Sequence, residues 1–341
     1  MLSRKLYLLG SFILILAVAS LVYLAHFAYQ PRVFSPEQIT YVLSPGATTH
    51  HIADDLHAQG LIQKPLLFRL LVRIEGQGKH LQSGEYHFTS GNTVQSFINK
   101  LVRGDVVRYE ITLVDGWTFK QAFQVIENNP YLEHQLKGLT PAEVAQQLNL
   151  KHANPEGLFL PETYQFRRPN TDVEILQRAH QALLTVLNQA WSSRSSGDIY
   201  PTPYKALIAA SLIQRESAND AERPEISGVI YRRLQKRMRL QIDPTVIYAL
   251  GDKYRGKLHR KDMRINSPYN TYRHHGLPPT PIALPGKNAI IAATHPAMGD
   301  ALYFVAMGDG RHYFSANLQQ HDKAIKKYLL QKSNSAPDSS L

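Results

Sequence analysis

The chain contains no cysteine, which excludes disulfides, thiolate metal sites and a cysteine nucleophile and leaves an oxidising export compartment open without requiring one. Other absences narrow the chemistry further. Fifteen histidines are present, but none stands in a His-Glu-x-x-His arrangement, and the pairs His50-His51 and His274-His275 are adjacent, so their rings point apart on a helix or strand. No metal site is expected. There is no Gly-x-Ser-x-Gly elbow and no phosphate-binding Gly-rich Lys motif. Acidic residues are in deficit, 27 against 38 Lys and Arg, for a net charge of +11. That balance favours an anionic partner such as a cell-wall polymer or a phospholipid surface; nucleic acid would answer the same charge, but no recognised nucleic-acid motif occurs.

Charge is missing altogether from Leu6 to Tyr29, which follow Arg4 and Lys5. As a helix that stretch spans ~36 Å, enough for a hydrocarbon core of ~30 Å with some tilt. One membrane pass over residues 6–29 is expected, with the basic residues 1–5 on the cytoplasmic side and everything after Pro31 outside. Ala17-Val18-Ala19 has the small-x-small form of a signal-peptide cleavage site, but the apolar run continues well beyond it. Both readings export the body of the chain.

An internal repeat comes next. Leu43-Ser-Pro-Gly46-Ala-Thr48 leads to Ile52 and Leu56, and Phe88-Thr-Ser-Gly91-Asn-Thr93 leads to Phe97 and Leu101. A third copy, Leu113-Val-Asp-Gly116-Trp-Thr118, leads to Phe123 and Ile126. Each predicts a strand, a Gly turn and a Thr-capped helix. Unequal spacing between copies argues against a solenoid and for a small α+β module built on the first two. Residues 106–113 alternate as a strand into the third copy, and Leu139–Leu148 reads as a helix with Pro141 in its first turn. The loop Glu156-Gly-Leu-Phe-Leu-Pro161-Glu162-Thr-Tyr164 reads equally as a site wall or a packed connector. A helix follows over residues 172–190, then a surface linker over 192–197.

The run Ala206 to Ile213 is apolar apart from Ser211 and ends in Gln214-Arg215-Glu216-Ser217. This is the pattern of a helix buried on every side. Glu216 sits at its C-terminal end, where partial burial and the helix dipole both raise a carboxyl pKa. A carboxylic acid held protonated near neutral pH is what general acid catalysis needs. A second helix carries Ile226, Val229, Ile230, Leu234 and Met238 as its apolar stripe, with Arg232, Lys236 and Arg239 among its polar positions. Beyond it, Gln241-Ile-Asp243-Pro, Ser267-Pro-Tyr269-Asn270-Thr271-Tyr272 and Gly276-Leu-Pro-Pro are proline-rich, which predicts rigid walls; Tyr269, Asn270 and Tyr272 offer ring faces and amides suited to sugars. The chain closes with a predicted hairpin, Leu302–Ala306 and His312–Ser315 around residues 308–310, an amphipathic helix over 318–330, and a disordered tail over 333–341.

The stretch Ala210-Ser-Leu-Ile-Gln-Arg-Glu216-Ser, with Glu222-Arg-Pro, Gln241-Ile-Asp243-Pro-Thr-Val-Ile-Tyr248, Ser267-Pro-Tyr-Asn-Thr-Tyr272 and Gly276-Leu-Pro-Pro, resembles the YceG-like family of endolytic murein transglycosylases. The resemblance runs from about Ile39 to Tyr328. It implies an α+β protein of a bacterial inner membrane, with a single transmembrane helix, a LysM-like module over 39–104 and a periplasmic mixed α/β catalytic domain over 105–332 around a buried central helix. It further implies cleavage of the β-1,4 bond between N-acetylmuramic acid and N-acetylglucosamine with a 1,6-anhydro product, no cofactor, and membrane-bound murein synthases as partners. Glu216 matches the family's catalytic glutamate; Tyr269, Asn270, Gln241, Asp243 and Ser217 are the substrate-binding candidates. The chain departs from the family at Gln214, where a further Glu is usual, and at Thr280, where Gly is usual.

One carboxylate suffices for that reaction, because the sugar's own 6-hydroxyl replaces the water or enzyme nucleophile of an ordinary glycosidase. Two other readings compete. A water-using muramidase would recruit Asp243 or Glu222 as a second carboxylate. A non-catalytic, membrane-tethered glycan-binding scaffold would bind murein and release nothing.

Overall fold

The computed structural model describes residues 2–195 and 199–330. The tail expected over 333–341, and the end of the linker expected over 192–197, lie outside the described residues. The chain forms two compact units, the first running to Glu110 and including Tyr131–Glu133 and Gln165–Asn170, the second holding the rest from Ile111.

In the first unit, α1 (Leu2–Tyr29) opens the chain. Its segment Tyr7–Tyr29, with a mean hydropathy of 2.5, is long and apolar enough to cross a membrane. From 7 to 23 every side chain is exposed, whereas Phe27 and Ala28 enter the core of the unit. That core lies under a two-stranded antiparallel sheet of β1 (Gln38–Leu43) and β2 (Gly84–Thr89), in register from Gln38↔Thr89 to Leu43↔Gly84. Tyr41, Leu43, Tyr86 and Phe88 are its buried strand residues.

Helices α2 (Thr49–Ala58) and α3 (Pro65–Ile74) connect the strands, and α4 (Val94–Arg103) follows β2. The repeat read from the sequence is a repeat of local structure. Gly46 and Gly91 turn the chain at φ 77° and 93°, where a side chain would be strained. Two residues on, Thr48 and Thr93 accept from the backbone N–H of His51 and Ser96 and start the helices that bury Ile52, Leu56, Phe97 and Leu101.

The third copy has the same form, with Thr118 and Gln121 in a capping box at α5 (Phe119–Glu127). It lies in the second unit. Strand β3 (Tyr109–Thr112) pairs with β4 (Thr163–Phe166). Thr140 and Glu143 box the start of α6 (Pro141–Gln147), and Thr171 and Glu174 that of α7 (Asp172–Ser192).

The rest of the second unit is built on α8 (Pro203–Glu216), which packs against α7, α9 (Arg223–Gln235), α10 (Asp243–Leu250) and α11 (Lys287–Thr294). All eight side chains from Ala206 to Ile213 are buried. Seven are apolar, and Ser211 is tolerated because its hydroxyl donates to Ile208 O (2.7 Å) and accepts from Ile282 N (3.1 Å). The hairpin β5 (Tyr303–Ala306) and β6 (His312–Ser315) is antiparallel, and α12 (Leu318–Ile325) packs on both its strands.

Candidate active site

Helix α8 stops at Glu216 because Ser217 takes extended backbone angles, φ −140° and ψ 136°. Three consecutive polar side chains at this end are divided between structure and cleft. Gln214 Oε1 accepts from Gly286 N (3.0 Å), and Arg215 Nη1 donates to Gly116 O (3.0 Å). The Glu216 carboxyl has no hydrogen-bond partner among the described residues and lines a cleft of about 500 Å³. Other cleft residues include Arg233, Gln241, Asp243, Tyr272, His312 and His321.

Glu216 is half-buried, and burial pushes its pKa up to about 8. The negative charge of Asp243 raises it further, and the Arg233 guanidinium opposes the rise. The sequence had pointed to partial burial and the helix dipole; the structure adds the neighbouring carboxylate of Asp243. A proton held at neutral pH on a group open to a cleft is available for transfer to a bound molecule.

Asp243 begins α10 and accepts a hydrogen bond from the Tyr272 hydroxyl. Gln241 holds a left-handed backbone at φ 54°, and its Oε1 accepts from Arg233 Nη1 (3.3 Å). The turn between them is fixed by two buried threonines. Thr271 Oγ1 accepts from Ile242 N (2.9 Å), and Thr245 Oγ1 donates to Ile242 O (2.6 Å). Arg233 ties the other wall, its Nε on Leu302 O (2.6 Å), its Nη1 on Leu240 O (2.7 Å) and Arg239 O (3.1 Å), and its guanidinium over the Tyr303 ring at 4.9 Å.

Of the sequence candidates, Glu216, Gln241, Asp243 and Tyr272 come together in the cleft, and three others are not among its lining residues. Asn270 is fully buried, its Nδ2 donating to Met263 O (3.0 Å) and Ile265 O (2.9 Å) while its Oδ1 accepts from Tyr272 N (3.0 Å). It shapes the loop that carries Tyr272 to Asp243. Tyr269 shares a hydrogen bond with Thr280 Oγ1 (2.8 Å) and leans on Tyr248, ring centroids 4.8 Å apart. Ser217 is buried and its Oγ accepts from Asn219 N (3.0 Å), setting the turn after Glu216. Glu222, the rival carboxylate, is engaged by His312, whose backbone N (2.9 Å) and Nδ1 (2.8 Å) both donate to it.

The Glu156 loop is a connector with a polar task. Glu156 is buried, accepts from Phe119 N (2.8 Å) at the start of α5 and from the Tyr248 hydroxyl (3.2 Å), and is pushed up to about 7 by its burial. It is not among the cleft residues.

Sequence reasoning missed Arg233 and the hairpin residues, whereas Tyr272, whose ring the sequence offered to a sugar, lines the cleft beside Asp243. Arg233 carried a readable signal, standing three residues after Ile230 and seven after Ile226 on the buried side of α9. A test separates the structural role of Asn270 from a sugar-binding one. Asn270→Ala strips donors from two backbone carbonyls, at a cost of about 1–3 kcal/mol for each buried group left bare. Thermal denaturation should show a clear loss of stability, whereas a sugar contact would raise KM and leave the melting temperature alone.

A sequence model described as the YceG-like family matches residues 41–327. An endolytic murein transglycosylase of Bacillus subtilis (strain 168) is 33% identical over 306 residues, covering 84% of this chain and 84% of that one. Another of that name, from Streptococcus pneumoniae serotype 2 (strain D39), is 26% identical over 341 residues, covering 88% of this chain and 60% of the relative. The crystal structure of a YceG-like protein from Listeria monocytogenes matches with a TM-score of 0.51 at 26% identity, over 84% of this chain and 99% of that chain.

Proposed function

The chain belongs to the YceG-like family, and on that premise we propose that it is a membrane-anchored endolytic lytic transglycosylase of peptidoglycan, a lyase in which Glu216 acts first as acid and then as base. The observation that carries this reading is the Glu216 carboxyl, poised near pH 8 in an open cleft with no hydrogen-bond partner among the described residues. The names of the relatives supply the substrate.

The Glu216 carboxyl donates its proton to the glycosidic oxygen between N-acetylmuramic acid and N-acetylglucosamine, and the bond from that oxygen to the muramyl C1 breaks. Positive charge develops at C1 and the ring oxygen, next to the carboxylate of Asp243. The 6-hydroxyl of the same muramyl residue attacks C1, and its proton passes to the Glu216 carboxylate. The product is a 1,6-anhydro-muramyl end, and Glu216 is protonated again for the next cycle. Tyr272 holds Asp243 in place, and Arg233 holds Gln241 at the cleft wall.

Asp243 also favours a second reading, since a carboxylate beside the acid is what a water-using muramidase would employ. Mass spectrometry of digested murein separates the two. The transglycosylase gives muropeptide ends one water lighter than the muramidase; hydrated ends throughout would overturn the proposal in favour of the muramidase, and the absence of any soluble product would favour a binding scaffold.

In this account α1 is a single-pass anchor in the bacterial inner membrane, with Arg4 and Lys5 keeping the N-terminus cytoplasmic and the catalytic unit in the periplasm. The order β1-α2-α3-β2 with an antiparallel strand pair supports a LysM-like module over residues 39–104, ahead of a catalytic domain over 105–332. An enzyme tethered there acts on nascent strands, terminating their elongation beside the membrane-bound synthases that extend them.

A further inference from the structure

Helix α3 buries Phe68, Leu71 and Val72 in the core of the first unit, yet its opposite face is not polar. Leu66, Leu70 and Ile74 are 71%, 44% and 64% exposed. Spaced by four, and turned by ~100° per residue, they form one continuous stripe along the outside of the helix. Arg69 and Arg73 run along one edge of that stripe. A groove of about 590 Å³ is lined by Leu66 and Leu70 of the stripe together with Arg69, Arg73, Lys79 and His50, the last of which lies 3.5 Å from the Asp54 carboxylate. Glu75, at the C-terminal cap, is the acidic residue nearest in sequence.

The position of this stripe says what covers it. Lys64, which precedes the helix, places its ammonium over the ring of Tyr23 in α1, 4.7 Å from the centroid, and donates to the Tyr23 hydroxyl. α3 also packs on α1. Phe27 and Ala28 are buried in the core of the first unit, so the lipid-facing part of α1 is the exposed run from Tyr7 to Tyr23. Those 17 residues span ~26 Å, close to the ~30 Å of a hydrocarbon core. Tyr23 therefore falls near the level where aromatic rings meet lipid headgroups, and α3 starts there.

We propose that α3 is an interfacial helix, with Leu66, Leu70 and Ile74 inserted into the outer leaflet of the membrane that α1 spans and Arg69, Arg73, Lys64 and Lys79 on the headgroups of anionic phospholipids. An exposed apolar stripe with a basic flank is the pattern of a helix that lies in the membrane plane, its apolar face ~5–10 Å into the headgroup and acyl boundary. A helix anchored in this way, together with the span, holds the first unit against the bilayer as a second point of attachment. The inference rests on the anchoring proposed above and adds a contact that α1 alone does not make.

The absence of native cysteine makes a direct test possible on the full-length chain. Single cysteines are introduced as Ile15→Cys in the span and as Leu66→Cys, Leu70→Cys or Ile74→Cys on α3, labelled with an environment-sensitive fluorophore, and reconstituted into nanodiscs of phosphatidylethanolamine and phosphatidylglycerol. Quenching by spin-labelled lipids at graded depths is compared with quenching by aqueous iodide. The label at 15 should respond to the deepest quencher, and the three α3 labels to the shallow one, with protection from iodide.

Quenching at 15 with free iodide access at all three α3 positions would overturn the interfacial helix and leave the anchor standing. Protection from both quenchers at those positions would assign the face to a protein partner and equally overturn it. Failure at 15 as well would remove the anchor on which it rests. Because the three sites are exposed and independent, a variant that misfolds leaves two others to decide.

Discussion

Glu216→Gln is expected to lower the rate of murein cleavage by ~10²- to 10⁴-fold, the loss that follows removal of a general acid. It should fall at or beyond the upper end, because in the proposed reaction one group makes both proton transfers. Glu222→Gln should retain much of the activity, since that carboxylate is occupied with His312. The fold should survive the change at 216. With a pKa raised from 4.5 to about 8, Glu216 makes the folded state bind more protons than the unfolded state across that window, so its contribution to stability declines as pH rises through it. Removing the group removes that decline. The melting temperature of the variant relative to the parent should therefore be more favourable at alkaline than at acidic pH. Release of anhydro-ended fragments at near wild-type rate by Glu216→Gln would place the catalytic carboxyl elsewhere.

Arg233→Met is expected to have the largest effect on stability. The side chain is 7% exposed and donates to Leu302 O, Leu240 O and Arg239 O, so its loss strips backbone carbonyls on both walls of the cleft. At about 1–3 kcal/mol for each buried group left without a partner, chemical denaturation should show a loss of several kcal/mol. Arg233→Lys should recover little of it, since one ammonium cannot reproduce the fork that reaches Nε and Nη1 partners at once. The charge has a second use. Arg233 holds the pKa of Glu216 down, so any Arg233→Met protein that folds should keep its acid protonated to higher pH. A midpoint unchanged from the parent would contradict the structural role given to this residue.

Much of the cleft was readable where local pattern carries chemistry. Gln241 and Asp243 became candidates only through the family resemblance, whereas Glu216 stood out because an apolar run buried on all sides ended in a carboxylate. The threonine caps of α2, α4 and α5 were legible for the same reason, since N-capping is a property of three or four adjacent residues. Asn270 and Ser217 were misplaced because a polar side chain in a loop reads alike whether it meets a sugar or its own backbone. Arg233 hid in a helix with several other cations. Tyr303, His312 and His321 reach the cleft from the hairpin and α12, an arrangement set by long-range packing that no local spacing encodes.

The central claim, that Glu216 is an acid kept protonated by burial and by Asp243, is tested most directly by the pH dependence of kcat/KM, which reports the essential groups of the free enzyme. The account predicts an alkaline limb that falls through about pH 8 in the wild type, because activity needs the protonated carboxyl. In Asp243→Asn, with the neighbouring negative charge gone, the limb should move to lower pH. A profile that stays flat well past pH 8, or an Asp243→Asn limb displaced to higher pH, would contradict it.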